Sequence, residues 1–445
     1  MMKKWLGWAL AALALLLLIV PGTLATAPDP VAITFWHSMS DTAGTLVQQY
    51  VADFNETIGK EQGIIVTEAF QGPYADATQK LQSILTAQGY DNLPDLMQLD
   101  STAKITYATS DKAYTIDELM ASGAALDLSQ YAQSPLSVWK YGEQQLGLPF
   151  STSTTVLYYN KTLLDAAGAA IPETFADIAA LAAKLPAQNE HGQPIHAMAA
   201  VPNTPSLANW LGQLGSYVVN YRNGAEQSAT ELACLDNGAL VTFLSEWKAL
   251  YASGALLNQG SGLTDMFVAG QLALLPESSS RTASLIASIG DKFELGVAYY
   301  PRVNAEATAG ATTSGGGLFL FDSGDEARKA AAWVFMEYLT SAPIQADFAI
   351  GTGYLPANLA SVDEPVYQAM IQENPMRDVA RQQLADTPAF MQSVTVGPSI
   401  DFYYAIGDHI SLMLEDDLTA DETAAALAEE LQLLLDDYSR ANPGA

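Results

Sequence analysis

The segment 148–168, LPFSTSTTVLYYNKTLLDAAG, joins a hydroxyl-rich turn to a short apolar strand and then to a helix start. Thr155-Val156-Leu157-Tyr158-Tyr159 is β-branched and aromatic and lies between Pro149 and Asn160, which is the composition of a buried strand. Asn160 is placed to cap a helix over 161–167, a contribution of about 1 kcal/mol, and Gly168 to end it. The same alternation runs along the rest of the chain. A strand at 33–35 precedes a helix opened by Asp41, on which Leu46, Val47, Tyr50, Val51 and Phe54 make an apolar stripe. A strand at 64–70, a helix at 75–87 and a strand at 95–99 follow. Further on, helices are expected over 175–185, 207–214, 241–251 and 325–340, with a strand at 272–275. Thr419 to Glu422 is a capping box for a last helix carrying Leu427, Leu431, Leu434 and Tyr438 on one face. Strands and helices in alternation imply an α/β fold over a mainly parallel sheet. With no internal repeat and no Gly/Ser tether, two interwoven lobes are favoured over beads on a string.

Residues 1–25 read as an export signal: Lys3 and Lys4, an apolar run over 5–20, then Pro21-Gly22 and small residues. The run is shorter than the ~20 residues of a comfortable membrane span, so cleavage is preferred to retention as an anchor. Ala25-Thr26-Ala27 and Thr23-Leu24-Ala25 are the two candidate cleavage sites. Cys234 is the only cysteine, so neither a lipid-anchored terminus nor an intramolecular disulfide is expected. Loss of Lys3 and Lys4 takes the formal charge from −30 to −32. Such acidity excludes nucleic acid as a partner, because phosphate binding needs clustered Lys and Arg, and it reads as a solubility coat.

Enzyme chemistry finds little support. His37, His191, His196 and His409 are scattered without an HExxH pair, so no metal is expected, and no cofactor motif is present. GxSxG and GxxxxGK[ST] are both absent. Carboxylates abound but no pair stands out, which leaves a glycosidase open by counting alone.

A binding site asks instead for polar groups and aromatic faces converging on a cleft. In open α/β sheets these come from residues just after the strands. Trp36 and His37, Tyr74 after the turn Gly72-Pro73, and Asp100 with Ser101 hold such positions. Trp36 could equally pack in a core. Ser151 to Thr154 could face a cleft or simply form a turn. Ser278-Ser279-Ser280 could meet a ligand and also cap the helix that continues to Ile289. Gly315-Gly316-Gly317 permits close approach of backbone N–H groups, or merely relieves crowding. Tyr354, between Gly353 and Leu355, could cover a ligand with its ring and bond it through its hydroxyl.

The crossing segment, together with ITFWHSMSD (33–41), IPETFADIAALAAKL (171–185), FVAGQLALLPESSS (267–280), GGGLFLF (315–321) and GTGYLPAN (351–358), resembles the family 1 extracellular solute-binding proteins. These are the maltose-binding-like receptors of bacterial ABC importers, and the glycerol-3-phosphate-binding branch is the most similar. The six matches run in the family's order over nearly the whole chain.

The resemblance implies a periplasmic-binding-protein type II fold, two lobes joined by a multi-strand hinge. Residues 28–153 and 300–348 would form the N-lobe and 154–299 with 349–445 the C-lobe. The chain would return near Tyr299–Pro301 and cross again around Gly351. Ser153, Ser278 and Gly315 fall on the family's ligand-contacting positions. The glycerol-3-phosphate receptors hold the phosphate with a tryptophan pair and an arginine. Here Asn203 to Ser206 replace the pair, with only Trp210 nearby, and Tyr403 takes the arginine position. Arg281, Arg222 and Lys104 are the basic residues that could substitute, Arg281 foremost. A desolvated phosphate dianion needs several charged donors, so a neutral sugar or oligosaccharide is the expected small-molecule ligand. Glycerol-3-phosphate or a glycerophosphodiester is the alternative, and an exported glycan-active enzyme or a non-transport sensor the other reading. The implied receptor is not an enzyme, takes no cofactor, works as a monomer in the periplasm or at the cell surface, and meets the importer's permease subunits.

Overall fold

The computed structural model describes residues 29–442, so the expected export signal lies outside the described residues. Strands β1 (Val31–His37), β2 (Ile64–Phe70) and β3 (Leu96–Asp100) start the fold. They are followed by β4 (Leu148–Asn160), β5 (His196–Ala199), β6 (Leu256–Leu257), β7 (Leu272–Ser278), β8 (Leu295–Ala298) and β9 (Thr313–Phe321). They join in the order β2-β1-β3-β9-β4-β7-β5-β6, with β8 on β4. The β1–β2 and β1–β3 pairs are parallel, as are β7–β5 and β5–β6, whereas β9 and β4 run antiparallel to their neighbours.

Strand β4 is the seam. Its first half, from Leu148 to Thr154, pairs with β9, and its second half, from Thr155 to Asn160, pairs with β7 and β8. One continuous backbone thereby belongs to two sheets. Within the second half the side chains alternate between cores: Leu157 joins Phe175, Leu211 and Trp247, whereas Val156 and Tyr158 join Phe267, Leu272 and Leu275. Burial on both faces explains its unbroken apolar run.

The first sheet is also covered on both faces. Ile33, Phe35, Leu96, Leu318 and Leu320 meet Val47, Tyr50 and Phe54 of the helix Asp41–Glu56 and Phe335 of the helix Glu326–Leu339. Met97, Leu99, Phe319 and Phe321 meet Leu81, Tyr107 and Trp139 on the opposite face. The second core gathers Trp210, Phe243, Trp247, Ile406, Leu427 and Leu431.

Capping chemistry sets several boundaries. Asn160 Oδ1 accepts from Leu163 N at 3.0 Å, and Thr419 and Glu422 cap one another at the start of Ala420–Ala441. On that helix Leu435, rather than Leu434, completes the buried row. The segment after β8 stays with the second core longer than the expected return at Tyr299–Pro301, because Tyr300, Val303, Ala307 and Ala311 pack there. The passage to the first sheet is β9. The next crossing runs through 353–358, where Leu355 N donates to Thr152 O at 2.7 Å and Ala132 N to Ala357 O at 2.8 Å.

Candidate functional site

The ends of β3, β4, β7 and β9 converge where the two sheets meet. The backbone there is shaped by glycine. Gly315 sits at φ +106, and a Cβ on it would overlap the Ser151 carbonyl oxygen. A Cβ on Gly316 would lie 2.7 Å from Tyr74 Oη and 2.8 Å from Ser151 Oγ, and closer still to Gln98 Nε2. The register of β9 shifts against β4 at Gly316/Gly317. This lets two strands and a tyrosine occupy one crowded spot.

Gln98 organises that spot. Its amide nitrogen donates to Tyr74 Oη and, at 2.9 Å, to Ser151 Oγ, while its carbonyl accepts from Ser38 N at 3.0 Å. Ser151 Oγ also accepts from Gly316 N at 3.1 Å. Gln98 and Ser151 are fully buried and Tyr74 partly so, and the network fixes the Tyr74 ring at the start of the helix Tyr74–Thr86. Tyr354 is held differently: its ring stacks on Phe348 at 5.3 Å and 11°, and its N–H donates to Thr352 Oγ1 at 3.1 Å. On the opposite wall Ser278 Oγ lies 2.9 Å from Ser280 Oγ and accepts from Ser280 N at 3.3 Å. Tyr158 Oη, 3.0 Å from Ser278 O and 2.8 Å from Thr282 Oγ1, steadies this turn from below.

These groups enclose a cavity of about 320 Å³. Seven of the expected residues line it: Tyr74, Asp100, Ser101, Ser153, Ser278, Gly315 and Tyr354. Asp100 is the one charged side chain among the described residues of this lining. Burial raises its pKa, opposed by hydrogen bonds from Thr102 to its carboxylate. Burial pushes the Tyr74 phenol well above its ordinary value and raises that of Tyr354. Both rings therefore present protonated hydroxyls across the physiological range, beside one carboxylate acceptor and several serines.

Two expected residues lie elsewhere. Trp210 is 1% exposed, stacks on Phe243 at 5.1 Å and on Tyr300 at 5.2 Å, and donates through Nε1 to Pro301 O at 3.3 Å. It faces the second core because it shares the buried face of Thr204–Gln213 with Leu207 and Leu211, and only Thr204 and Pro205 at that helix's start reach the cavity. Tyr403 is 45% exposed on the helix Ser399–Glu415, edge-on to Tyr404, and does not line the cavity, because Phe402 takes the inward position. Trp36 packs against the first core under Lys80, and His37 is buried against Glu68 at 2.9 Å. Arg281 lines an adjoining groove of about 520 Å³ with Asp41 and Glu277, which shares Tyr74, Ser278, Ser280 and Tyr354 with the cavity.

Thr204 and Pro205, within the Asn203–Ser206 stretch, and Ser280 of the serine run also line the cavity, and Thr312, Ser314 and Ser393 do so without having been singled out. The Asn203 capping box with Ser206 fixes the first two, and was readable as a helix start after a strand. Gln98 carried no signal, since its bonds run to residues 24 and 53 positions away.

Two sheets sharing a long strand, with a polar cavity walled from both sides of that seam, define a two-lobed clamp for a small molecule. Residues 49–375 match the family model of the bacterial extracellular solute-binding proteins, and the chain belongs to that family. It is 25% identical over 395 residues, 86% of each chain, to the sn-glycerol-3-phosphate-binding periplasmic protein UgpB of Escherichia coli O1:K1 / APEC. Among solved structures, UgpB of Mycobacterium tuberculosis in complex with glycerophosphocholine superposes with a TM-score of 0.76 at 21% identity, covering 92% of this chain and 99% of that one. The GacH receptor of Streptomyces glaucescens GLA.O, solved unliganded and with acarbose, gives 0.74 at 19% identity, with the same 92% and 99%. No helix among the described residues is long and apolar enough to cross a membrane.

Proposed function

We propose that this chain is the capture subunit of an ABC importer, taking a small hydroxylated organic solute, a sugar or oligosaccharide, between its lobes outside the cytoplasmic membrane. The observation that carries the reading is the lining of the polar cavity: two tyrosine rings, six serines and one carboxylate, with no cation among its described residues. Tyrosine faces cover the C–H surface of a sugar, while serine, phenol and carboxylate groups exchange hydrogen bonds with its hydroxyls. Relatives take glycerol-3-phosphate, glycerophosphocholine or acarbose according to their descriptions, so the scaffold accommodates both charged and neutral polyhydroxy solutes.

Ligand selects the closed arrangement because only there do Tyr74 and Asp100 from one sheet and Ser278 from the other touch it together. The closed shape is then recognised by the permease subunits. The solute leaves chemically unchanged, the receptor is a monomer, and residues 1–25 are its export signal. A thermal-shift screen of sugars, polyols and glycerophosphodiesters tests the reading, with mass spectrometry of the recovered ligand. A stabilising polyhydroxy solute recovered intact is expected; a chemically altered solute, or stabilisation by none of the three classes, overturns it.

A further inference from the structure

A chamber of about 480 Å³ shares Val138, Thr313 and Ser393 with the polar cavity. Its walls are largely apolar, with Pro135, Leu355 and Leu384 among them, and Lys104 lines it. Lys104 is 3% exposed, and its ammonium donates to one acceptor, Val138 O at 3.2 Å. Among the described residues it joins no ion pair, and two of its three N–H groups have no protein acceptor. The other cations of the chamber are matched: Arg381 is forked onto Asp378 at 2.6 and 2.7 Å, and Arg222 lies 3.7 Å from Glu226. Lysine is almost never buried without a partner, and a methionine would fill the same space without the desolvation penalty. The chain carries 49 acidic residues against 19 basic ones, yet none of the 49 pairs with this buried lysine.

We propose that Lys104 receives a singly charged anionic group, a carboxylate or a phosphodiester, borne by the solute whose hydroxylated part occupies the polar cavity. One ammonium balances one unit of charge; a phosphate monoester dianion would leave a negative charge uncompensated among apolar walls. Burial lowers the Lys104 pKa to about 8, so the side chain is still mainly charged at pH 7. The inference rests on the solute-receptor reading and narrows it to acidic derivatives of polyhydroxy compounds.

Sodium valerate and sodium diethyl phosphate probe the chamber by itself, and 1-pentanol is the uncharged control. Each is titrated calorimetrically into the protein at pH 7.0 and 9.5 and constant ionic strength. At least one anion binds at pH 7.0, more tightly than 1-pentanol, and Lys104→Met weakens it at least tenfold. Raising the pH to 9.5 does the same in the unaltered protein, a readout that needs no variant. The other charged groups facing the chamber are Arg222 and Arg381, paired with Glu226 and Asp378. Binding of the carboxylate or of the phosphodiester alone identifies the group. Failure of both anions to bind, equal binding by Lys104→Met, or affinity unchanged at pH 9.5 overturns the inference. A neutral sugar that still stabilises the protein would leave the receptor function standing and sink this inference alone.

Discussion

Replacing Gly316 with alanine is the sharpest probe of the polar cavity, because the added methyl meets side-chain ends rather than backbone. It would fall 2.7 Å from Tyr74 Oη, 2.8 Å from Ser151 Oγ and nearer to Gln98 Nε2. Real Cβ contacts do not come under 3.0 Å, so the Gln98–Tyr74–Ser151 network has to part. Two or three buried hydrogen bonds are weakened at about 1 kcal/mol each, and any group left unsatisfied adds about 1–3 kcal/mol. We expect an unfolding free energy lower by about 2–4 kcal/mol in urea titration. A receptor of this size still folds at 25 °C with that loss. Binding suffers separately, since Tyr74 loses the amide that fixes its ring. Removing one ordered aromatic wall and its hydroxyl costs about 1.5–3 kcal/mol of affinity, roughly ten- to a hundredfold. Isothermal titration with the solute found by screening measures it. Gln98→Leu removes the same bonds without adding volume and should reproduce the binding loss. Unchanged affinity in both variants would refute the placement of Tyr74 in the site.

Tyr354→Ala is expected to weaken solute binding at least tenfold with little change in Tm, measured by titration and thermal unfolding. Arg281→Ala, in the adjoining groove and not in the cavity lining, should leave the affinity for a neutral sugar within about twofold; a severe loss would move the ligand into the adjoining groove. Asn160→Ala removes the bond to Leu163 N and should cost about 1 kcal/mol of stability without touching affinity. Burial holds the His37 pKa below 6.5. The unfolded chain therefore takes up the proton first as pH falls, so stability drops from about pH 6.5 downward, and urea titrations of His37→Gln should show a shallower slope over that window.

What the sequence made legible was local chemistry. Asn160 and Thr419 cap the helices that begin beside them because a side-chain oxygen reaching an N–H three residues on needs nothing else in the molecule. Ser151-Thr152-Ser153-Thr154 reads as a turn for the opposite reason. Its partners are remote, with Ser151 Oγ accepting from Gly316 N and Thr154 Oγ1 donating to Thr312 O at 3.0 Å, so a strand buried on both faces carries the composition of a loop. Strand β4 accordingly runs thirteen residues where five were apolar enough to show.

The site divides along the same line. Residues set by strand ends, such as Asp100, Ser101 and Ser278, reach the cavity because a backbone direction decides where they point. Trp210 does not, since its neighbours Phe243 and Trp247, both on the helix Ala239–Ala252, and Tyr300 come from two other segments that bury the indole. Lys104 was visible only as one basic residue among few. Its burial without a carboxylate emerges from the end of the helix Gln133–Val138 packing on it, a contact 34 positions away. Tyr403, expected in the site, stands exposed on its helix instead. Lys104, buried beside a cavity lined by hydroxyl groups and in no ion pair among the described residues, is accordingly where our proposal places the anionic part of the solute.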